Sequence, residues 1–337
     1  MQWRASYTAV KFAMIETLTC WSLTEGVAGA ETQCIGLAEA MELSFEIKTI
    51  PRPLFPLDYL PVTMWPITQG LKDILAPPWP DILISSGRGS VAPALAIRRA
   101  TAGQTFMVHI QKPYAHPSLF DLVIVPQHDS LRGDNVLVTR TSLHRVTQKV
   151  LFEAAQVFGA RLSHLPRPII AVLVGGSSKY QNCSLQTMHR LADQLIAALG
   201  KSHGSLAVTT SRRTGKENAI ILRKRLRTVP HFMWDGCGEN PYLGFLALAD
   251  AIVVTSDSVS MTSEACATGK PVHVFDMGER HSKQRQFHKT LMDDGITRRF
   301  AGRIERWSYD PLNETKKIAG IVLEQFRRTR LDNSALI

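Results

Sequence analysis

Short apolar runs rich in β-branched residues alternate along the chain with segments whose apolar residues recur at helical spacing. This alternation is typical of parallel α/β units. In the first half it predicts strands near 17–22, 81–85, 105–109, 121–125 and 135–138, and helices near 30–41, 91–99 and 147–158. In the second half it predicts strands near 169–174, 206–210, 231–234, 251–255 and 272–275, and helices near 184–199, 215–227, 241–249, 259–268 and 314–328.

The segment HLPRP, residues 164–168, interrupts the alternation between the two halves. Each proline removes a backbone donor and disfavours helix in the residue before it. A chain of 337 residues also exceeds one ordinary domain. We therefore expect an α/β protein with two Rossmann-like doubly wound domains that face a cleft: an N-terminal domain over 1–165, a C-terminal domain over 166–310, and a helix within 311–337 that packs back on the N-terminal domain.

Composition narrows the class of protein. Hydrophobic residues make up 45% and charged residues 20%, which is typical of a globular protein with a large core. The apolar runs fall short of the roughly 18 residues that a membrane span needs, so a cytoplasmic location is expected. Five scattered cysteines without a C-x-x-C pair indicate free thiols in a reducing compartment.

The net charge of +10 predicts an anionic ligand or surface. Nucleic acid is disfavoured, because the chain has neither a basic patch interleaved with aromatic residues nor zinc-finger spacing. A solvated basic surface would account for part of the charge.

Glycine and hydroxyl residues follow several predicted strands. They occur in Trp21–Gly29, Ser85–Ser90, Gly175–Lys179 and Ser256–Ser258, and a fifth loop, Thr210–Gly215, adds two arginines. Glycine lets the backbone approach a ligand, and each following helix directs free N–H groups at the loop. The loops therefore predict phosphate sites, although ordinary turns between strand and helix have a similar composition. They match neither the P-loop nor the dinucleotide fingerprint, which disfavours an NTPase or an NAD dehydrogenase.

The stretch SDSVSMTSEACATGKPV, residues 256–272, carries the most specific pattern. Ser258 suits an N-cap, and Pro271 prevents the helix from continuing. Ser260 and Glu264 then lie four residues apart on one helix face. This spacing indicates a diphosphate at the helix mouth and a carboxylate that accepts both hydroxyls of a ribose, as a nucleotide sugar requires. The alternative is a capping serine followed by a solvent-facing glutamate.

The same stretch is similar to the donor-site helix of GT-B glycosyltransferases, including the lipid-linked N-acetylglucosamine transferase of peptidoglycan synthesis. The blocks WSLTEGVAGAETQCIGLAEA, SSGRGSVAPALAIRR, VTTSRRTGKEN, WDGCGENPY and FHKTLMDDGITRRF resemble the mitochondrial-fission elongated-mitochondria family. The resemblance covers roughly residues 17–310. It implies a GT-B fold. Bacterial members are described as glycosyltransferases, with relatives in lipooligosaccharide loci, whereas plant members recruit a dynamin-related protein to mitochondria.

Two features of the chain depart from the family pattern. Residues 1–16 do not match the expected start of the family, and Lys112 stands where an acidic residue is expected.

The fold and the resemblance together imply the site residues. For the nucleotide and its phosphates we expect contacts from Gly175, Gly176, Ser177, Lys179, Ser211, Arg212, Arg213, Trp234, Ser256, Asp257, Ser258, Ser260, Met261, Thr262 and Glu264. Glu25 is the first candidate for the base that deprotonates the acceptor, and His109 is the second. Thr24, Gly26, Gly87 and Arg88 are expected on the acceptor side. No metal or other cofactor is expected, because cations and helix N-termini stabilise the leaving diphosphate in this fold.

The expected function is sugar transfer from a nucleotide-sugar donor to a cell-envelope glycolipid or other anionic acceptor, such as a lipopolysaccharide core. The protein would then act in the cytoplasm, with peripheral contact at the inner membrane. Two alternatives stay open: a non-catalytic scaffold of the same fold that binds a protein or membrane partner, and a nucleotide-sugar epimerase.

Overall fold

The computed structural model describes residues 18–51, 60–177, 183–278 and 282–334. The chain divides into two compact units. The first unit runs to Arg145 and resumes at Glu314, and the second comprises Val146–Asn313.

Strands and helices alternate through the described residues of both units. The first unit contains β1 Thr19–Thr24, α1 Ala28–Ala40, β2 Ser44–Thr49, α2 Gln69–Ile74, β3 Ile82–Ser86, α3 Val91–Ala100, β4 Phe106–Ile110, β5 Leu122–Pro126 and β6 Val136–Thr139. The second contains α4 Gln148–Leu162, β7 Ile169–Val174, α5 Leu185–Ser202, β8 Ser205–Thr210, α6 Lys216–Leu226, β9 His231–Met233, α7 Tyr242–Leu248, β10 Ala251–Thr255, α8 Val259–Cys266, β11 Val272–Phe275, α9 Ser282–Asp293 and β12 Thr297–Arg299. The closing helix α10, Glu314–Ser334, returns to the first unit.

Each unit is built on one parallel sheet. The described strands form a six-stranded sheet in the order β2-β1-β3-β4-β5-β6 and another in the order β12-β11-β10-β7-β8-β9. The strand order reverses beside β1 in the first sheet and beside β7 in the second, and a ligand in such a fold binds at the carboxyl ends of strands at this reversal. The predicted α/β class with two doubly wound domains is confirmed.

The strands at the centre of the second sheet explain why its apolar runs are continuous. Every residue of β7 and β10 is buried. Strands of a parallel sheet are covered on both faces, so both sets of alternating side chains must be apolar. The cores that result lie on both faces of the sheet, and the polar loops that follow β7 and β10 are held on this rigid base.

Three short elements are among those absent from the predictions made from sequence: β2, α2 and β12. The strands β2 and β12 lie at sheet edges, where β2 exposes four of its six residues and β12 exposes both of its arginines. An edge strand needs fewer apolar residues than a central one, so the hydrophobic pattern is weak there.

The limits of the two units differ from the predicted domain limits. The predicted boundary after residue 165 lies beyond α4, but the structure groups α4 with the second unit. A Cβ on Gly244 of α7 would come within 2.6 Å of Phe158, which shows how tightly α4 and α7 pack.

The closing helix α10 belongs to the core of the first unit. Its Ile318, Val322 and Phe326 are buried in the cluster that includes Leu37 of α1. The Phe326 ring meets Phe106 of β4 edge to face at 5.7 Å. None of the described helices combines the length and the apolar character that crossing a bilayer requires.

Candidate functional site

Asp257 is the centre of a hydrogen-bonded network at the carboxyl ends of β7 and β10. Its carboxylate is fully buried, and Oδ2 accepts from the N–H of Gly176 at 2.8 Å. The hydroxyl of Thr255 donates to Oδ1 at 2.7 Å and accepts from the N–H of Gly175 at 2.8 Å. Arg213, from the loop after β8, forms an ion pair with Oδ2 at 2.9 Å. One carboxylate therefore ties three loops together.

The glycines of this network are required by contacts between the loops. A Cβ on Gly175 would lie 2.1 Å from the Asp257 carboxylate, and one on Gly176 would lie 2.0 Å from the Arg213 backbone. Ser177 donates its N–H to the Arg213 carbonyl at 3.0 Å, which fixes the same close approach. The sequence predicts that these glycines let a ligand approach the backbone. In the structure they are needed because the loops pack too closely to leave room for a side chain.

The N-terminus of α8 divides the predicted contacts into two groups. Ser256, Asp257 and Thr262 are buried. The Ser256 hydroxyl accepts from the Met277 N–H at 3.1 Å, and the Thr262 hydroxyl donates to the Ser258 carbonyl at 2.9 Å. These three side chains therefore hold the loop and are not directed at a ligand, which corrects their predicted role as ligand contacts.

The second group on α8 is partly exposed: Ser258, Ser260, Met261 and Glu264. Ser258 has the predicted cap geometry, because its hydroxyl accepts from the Met261 N–H at 3.3 Å. The remaining N–H groups of the first turn and the positive end of the helix dipole favour an anion at this position. Glu264 lies on the same helix and receives a hydrogen bond from the hydroxyl of Tyr242.

Cationic side chains flank this helix mouth. Arg212 and Arg213 form a short 3₁₀ turn after β8, and both are exposed. Ser211 and Thr214 close a reciprocal capping box around that turn. The pairing with Asp257 fixes Arg213 in place while 43% of its side chain stays exposed. Lys179, also predicted as a phosphate contact, lies outside the described residues.

The block WDGCGENPY forms the turn between β9 and α7. The Trp234 indole N–H donates to the Cys237 carbonyl at 2.9 Å, and its ring packs on the core of the second unit. The Asn240 side chain accepts from the Tyr242 N–H at 3.1 Å. Asn240 thus satisfies the N–H of the first residue of α7, and contact of Trp234 with the nucleotide stays a prediction.

Helix α9 supports the loop after β10 from behind. The Gln284 amide donates to the Asp257 carbonyl at 3.0 Å, and His288 Nε2 lies 2.8 Å from the Ser256 carbonyl. Burial lowers the pKa of His288 below its ordinary value. A neutral imidazole that donates through Nε2 accounts for the contact with Ser256. Sequence reasoning does not identify this support, because only the fold brings α9 to the loop.

In the first unit the loops after β1 and β3 meet at Glu25. Its Oε2 accepts from the Gly89 N–H at 3.2 Å, and a Cβ on Gly89 would lie 2.4 Å from the same carboxylate. Gly26 and Gly87 both have positive φ, 68° and 91°, which explains glycine at these turns. Thr24 is buried and accepts from the Gly26 N–H at 3.2 Å, so its side chain shapes the turn.

Arg88 lies in the same loop between two aromatic rings. Its guanidinium is 5.1 Å from the Trp65 ring centroid and 5.7 Å from that of Tyr114. One of its nitrogens also donates to the Leu60 carbonyl at 3.3 Å. The structure therefore brings Glu25, Gly87 and Arg88 together at the strand reversal of the first sheet, and their roles toward an acceptor stay a prediction.

His109 is not placed to act as a base, which corrects the second candidate for that role. It is fully buried, its Nδ1 lies 2.9 Å from the Ser85 hydroxyl, and its ring packs on Phe120. Burial lowers the pKa of His109 to about 3. It is therefore a neutral core residue of β4. Among the described residues no group of three or more metal-ligating side chains occurs.

The sequence model of the Mitochondrial fission ELM1 family matches residues 28–326. The chain belongs to this family. Mitochondrial fission protein ELM1 of Arabidopsis thaliana is 35% identical over 267 residues, which cover 71% of this chain and 62% of that protein. The chain thus spans less than two thirds of the length of its plant relative in the family.

Solved structures share the fold of this ELM1-family chain at low sequence identity. The UDP-GlcNAc 2-epimerase of Methanocaldococcus jannaschii has a TM-score of 0.58 at 11% identity, covering 91% of this chain and all of that one. The UDP-GlcNAc 2-epimerase of Neisseria meningitidis, solved bound to UDP-GlcNAc, has a TM-score of 0.53 at 13% identity, again covering 91% of this chain and all of that one. The expected GT-B-like fold, which such epimerases share, is confirmed.

Proposed function

We propose that this protein transfers a sugar from a nucleotide-sugar donor to a cell-envelope glycolipid acceptor of the lipopolysaccharide-core type. The observation that carries the proposal is the mouth of α8, where the N-cap Ser258 and Ser260, both partly exposed, precede Glu264. A diphosphate fits the helix N-terminus, and a ribose diol fits a carboxylate one turn further along. A solved protein of the same fold holds UDP-GlcNAc, which supports a nucleotide sugar as the donor class.

In the proposed transfer the acceptor hydroxyl oxygen bonds to the anomeric carbon of the sugar. The bond from that carbon to the phosphate oxygen of the donor breaks, and the nucleoside diphosphate leaves. Arg212, Arg213 and the α8 N-terminus stabilise the charge on the leaving group without a metal. The Glu25 carboxylate takes the proton of the acceptor hydroxyl.

The acceptor side of the proposal rests on Arg88. A guanidinium held against two rings can pair with a phosphate or carboxylate of an anionic glycolipid. The net charge of +10 favours contact with an anionic inner-membrane surface, where such an acceptor would be found.

A thermal-shift screen against UDP, GDP, ADP and CMP and their sugars tests the donor class. A true donor at about 100 times its dissociation constant should stabilise the protein by about 2.7 kcal/mol. The same ligand should stabilise a Ser260→Ala or Glu264→Gln variant less. If none of these ligands stabilises the wild-type protein, the transferase hypothesis is wrong. A scaffold that binds a protein or membrane partner is then favoured.

Replacement of Glu25 by Gln tests the transfer step. The variant should bind the donor as the wild type does and lose at least about a hundredfold in transfer, the range for a lost general base. Glu153→Gln, on the exposed face of α4, is the matched control. Full activity of E25Q would remove Glu25 from the mechanism.

A nucleotide-sugar epimerase is the second candidate, because both solved structures described above are UDP-GlcNAc 2-epimerases. Incubation with UDP-GlcNAc in the absence of any acceptor distinguishes the two. An epimerase would convert the sugar under these conditions, and a transferase would leave it intact.

A further inference from the structure

Tyr242 contacts the carboxylate that we assign to the ribose. Its hydroxyl donates a hydrogen bond to Oε2 of Glu264, across 22 positions of sequence. The two side chains come from different helices, α7 and α8, and both are partly buried. A carboxylate has about four acceptor positions, so the bond from Tyr242 does not by itself fill them.

Helix α7 holds Tyr242 in a fixed place. The Asn240 side chain accepts from the N–H of Tyr242 itself, Phe245 is fully buried in the core of the second unit, and Gly244 packs directly against Phe158 of α4. The Tyr242 ring itself lies against that core. The helix is seven residues long and held at both faces, so the phenol presents its hydroxyl from a rigid base.

The phenol also keeps its proton throughout the physiological range. Burial, and then the adjacent Glu264 carboxylate, hold the pKa of Tyr242 well above its ordinary value. Tyr242 is therefore a hydrogen-bond donor, and Glu264 is its acceptor.

We propose that Tyr242 is the positioning residue of the ribose site, orienting the Glu264 carboxylate so that it accepts from the two ribose hydroxyls. This inference rests on the proposed function, in which Glu264 binds the ribose. A partly exposed glutamate side chain can occupy several rotamers. A fixed donor that selects one of them lowers the conformational entropy that is lost when a ligand binds. Tyr242, the last residue of the block WDGCGENPY, is not among the residues predicted to contact the donor or the acceptor, and this proposal gives it a role.

The test measures the dissociation constants of a nucleoside diphosphate and its 2′-deoxy counterpart for the wild type and three variants. UDP, GDP, ADP and CDP and their deoxy forms are screened first, and the pair that binds is used. The variants are Tyr242→Phe, Glu264→Gln and the double variant. Loss of the Tyr242 hydroxyl should weaken ribonucleotide binding by at least about tenfold, the low end of the range for a hydrogen bond to a charged group. It should weaken binding of the deoxynucleotide much less.

The ratio of the two constants separates positioning from a structural role. If Tyr242 only supports the fold, Y242F weakens both ligands equally and leaves the preference for ribose unchanged. If it orients Glu264, the preference falls in Y242F, and the double variant is no worse than E264Q, because the two residues act through one contact.

Tyr309→Phe is the matched control. Tyr309 packs on the same core and donates its hydroxyl to the Lys270 carbonyl at 2.7 Å, outside the proposed site. Its loss should leave the preference for ribose at the wild-type value. If the wild type binds a nucleotide and Y242F shows the same ratio of the two dissociation constants, the positioning role of Tyr242 is wrong. The proposed donor site would not be affected by that result. Absence of binding to every nucleotide would overturn the proposed donor site and this inference with it.

Discussion

At the scale of single residues, the candidate site depends on groups that a ligand would not touch. Asp257 is buried, and its carboxylate fixes Gly175, Gly176 and Arg213 at once. Because a buried carboxylate is costly unless it is paired and hydrogen-bonded, this network fixes one arrangement of the loops. The exposed groups around it, Arg213 among them, are thereby held in position before any ligand arrives.

Gly176→Ala tests the close approach of these loops. A Cβ 2.0 Å from the Arg213 backbone forces one loop to move, and we expect the free energy of unfolding to fall by about 1–3 kcal/mol, as in overpacked cores. Urea denaturation measures it. Gly159→Ala in α4 is the control, since open space surrounds that position. Alanine there should raise the free energy of unfolding by about 0.5–1 kcal/mol. Equal stability of wild type and G176A would contradict the packing.

His109 should make stability depend on pH. Its pKa falls from an ordinary 6.5 to about 3 on folding, so between these values the unfolded chain binds a proton that the folded chain does not. The contribution of His109 is then fully present above pH 6.5 and is lost as the pH falls, at about 1.4 kcal/mol per pH unit.

His109→Gln should remove this part of the slope. The free energy of unfolding of wild type and variant is measured in urea from about pH 8 to pH 4. The difference between the two proteins at pH 8 is the baseline, because His109 is neutral in both states there. Parallel curves for the two proteins over that range would show that His109 takes up its proton equally in both states.

At the scale of elements, the N-terminus of α8 combines an ordinary N-cap with a candidate ligand contact. The same serine that caps the helix lies beside the N–H groups proposed for the diphosphate. Helix α5 has an equivalent N-cap, because the Ser184 hydroxyl accepts from the Thr187 N–H at 3.1 Å. Ser184 is not among the residues proposed to contact a ligand.

Ser258→Ala and Ser184→Ala should each lower the free energy of unfolding by about 1 kcal/mol, the typical value of an N-cap. Only S258A should also reduce the stabilisation that a bound nucleotide provides. Denaturation with and without nucleotide measures both effects. A similar loss of ligand stabilisation in S184A would show that cap removal acts on binding through general stability.

At the scale of the whole molecule, the last helix joins the first sheet. Residues 314–334 lie far from β4 in sequence, yet Phe326 packs on Phe106, and Arg330 forms an ion pair with Asp81 at 3.0 Å. The first unit is therefore built from two segments that are far apart in sequence, whereas the second is built from one continuous segment.

Phe326→Ala should cost about 3–5 kcal/mol, the range for a large buried aromatic. Hydrogen exchange should show the loss of protection concentrated in α1, β4 and α10. Phe245→Ala, in the core of the second unit, is the matched control and should move the loss to α4 and the second sheet. Loss of protection in the second sheet on F326A, with α1 unaffected, would contradict the assignment of α10.

The sequence by itself determined the alternation of strands and helices, the two parallel sheets, the cap at Ser258 and the loops that carry the candidate site. These follow from local pattern: buried parallel strands must be apolar throughout, and caps and turns need particular residues at fixed offsets. Only the tertiary structure decided that Asp257 points inward, that His109 is buried, that Tyr242 meets Glu264 and that α4 joins the second unit. Those contacts join residues far apart in the chain, and burial and pairing across such distances leave no local pattern to read.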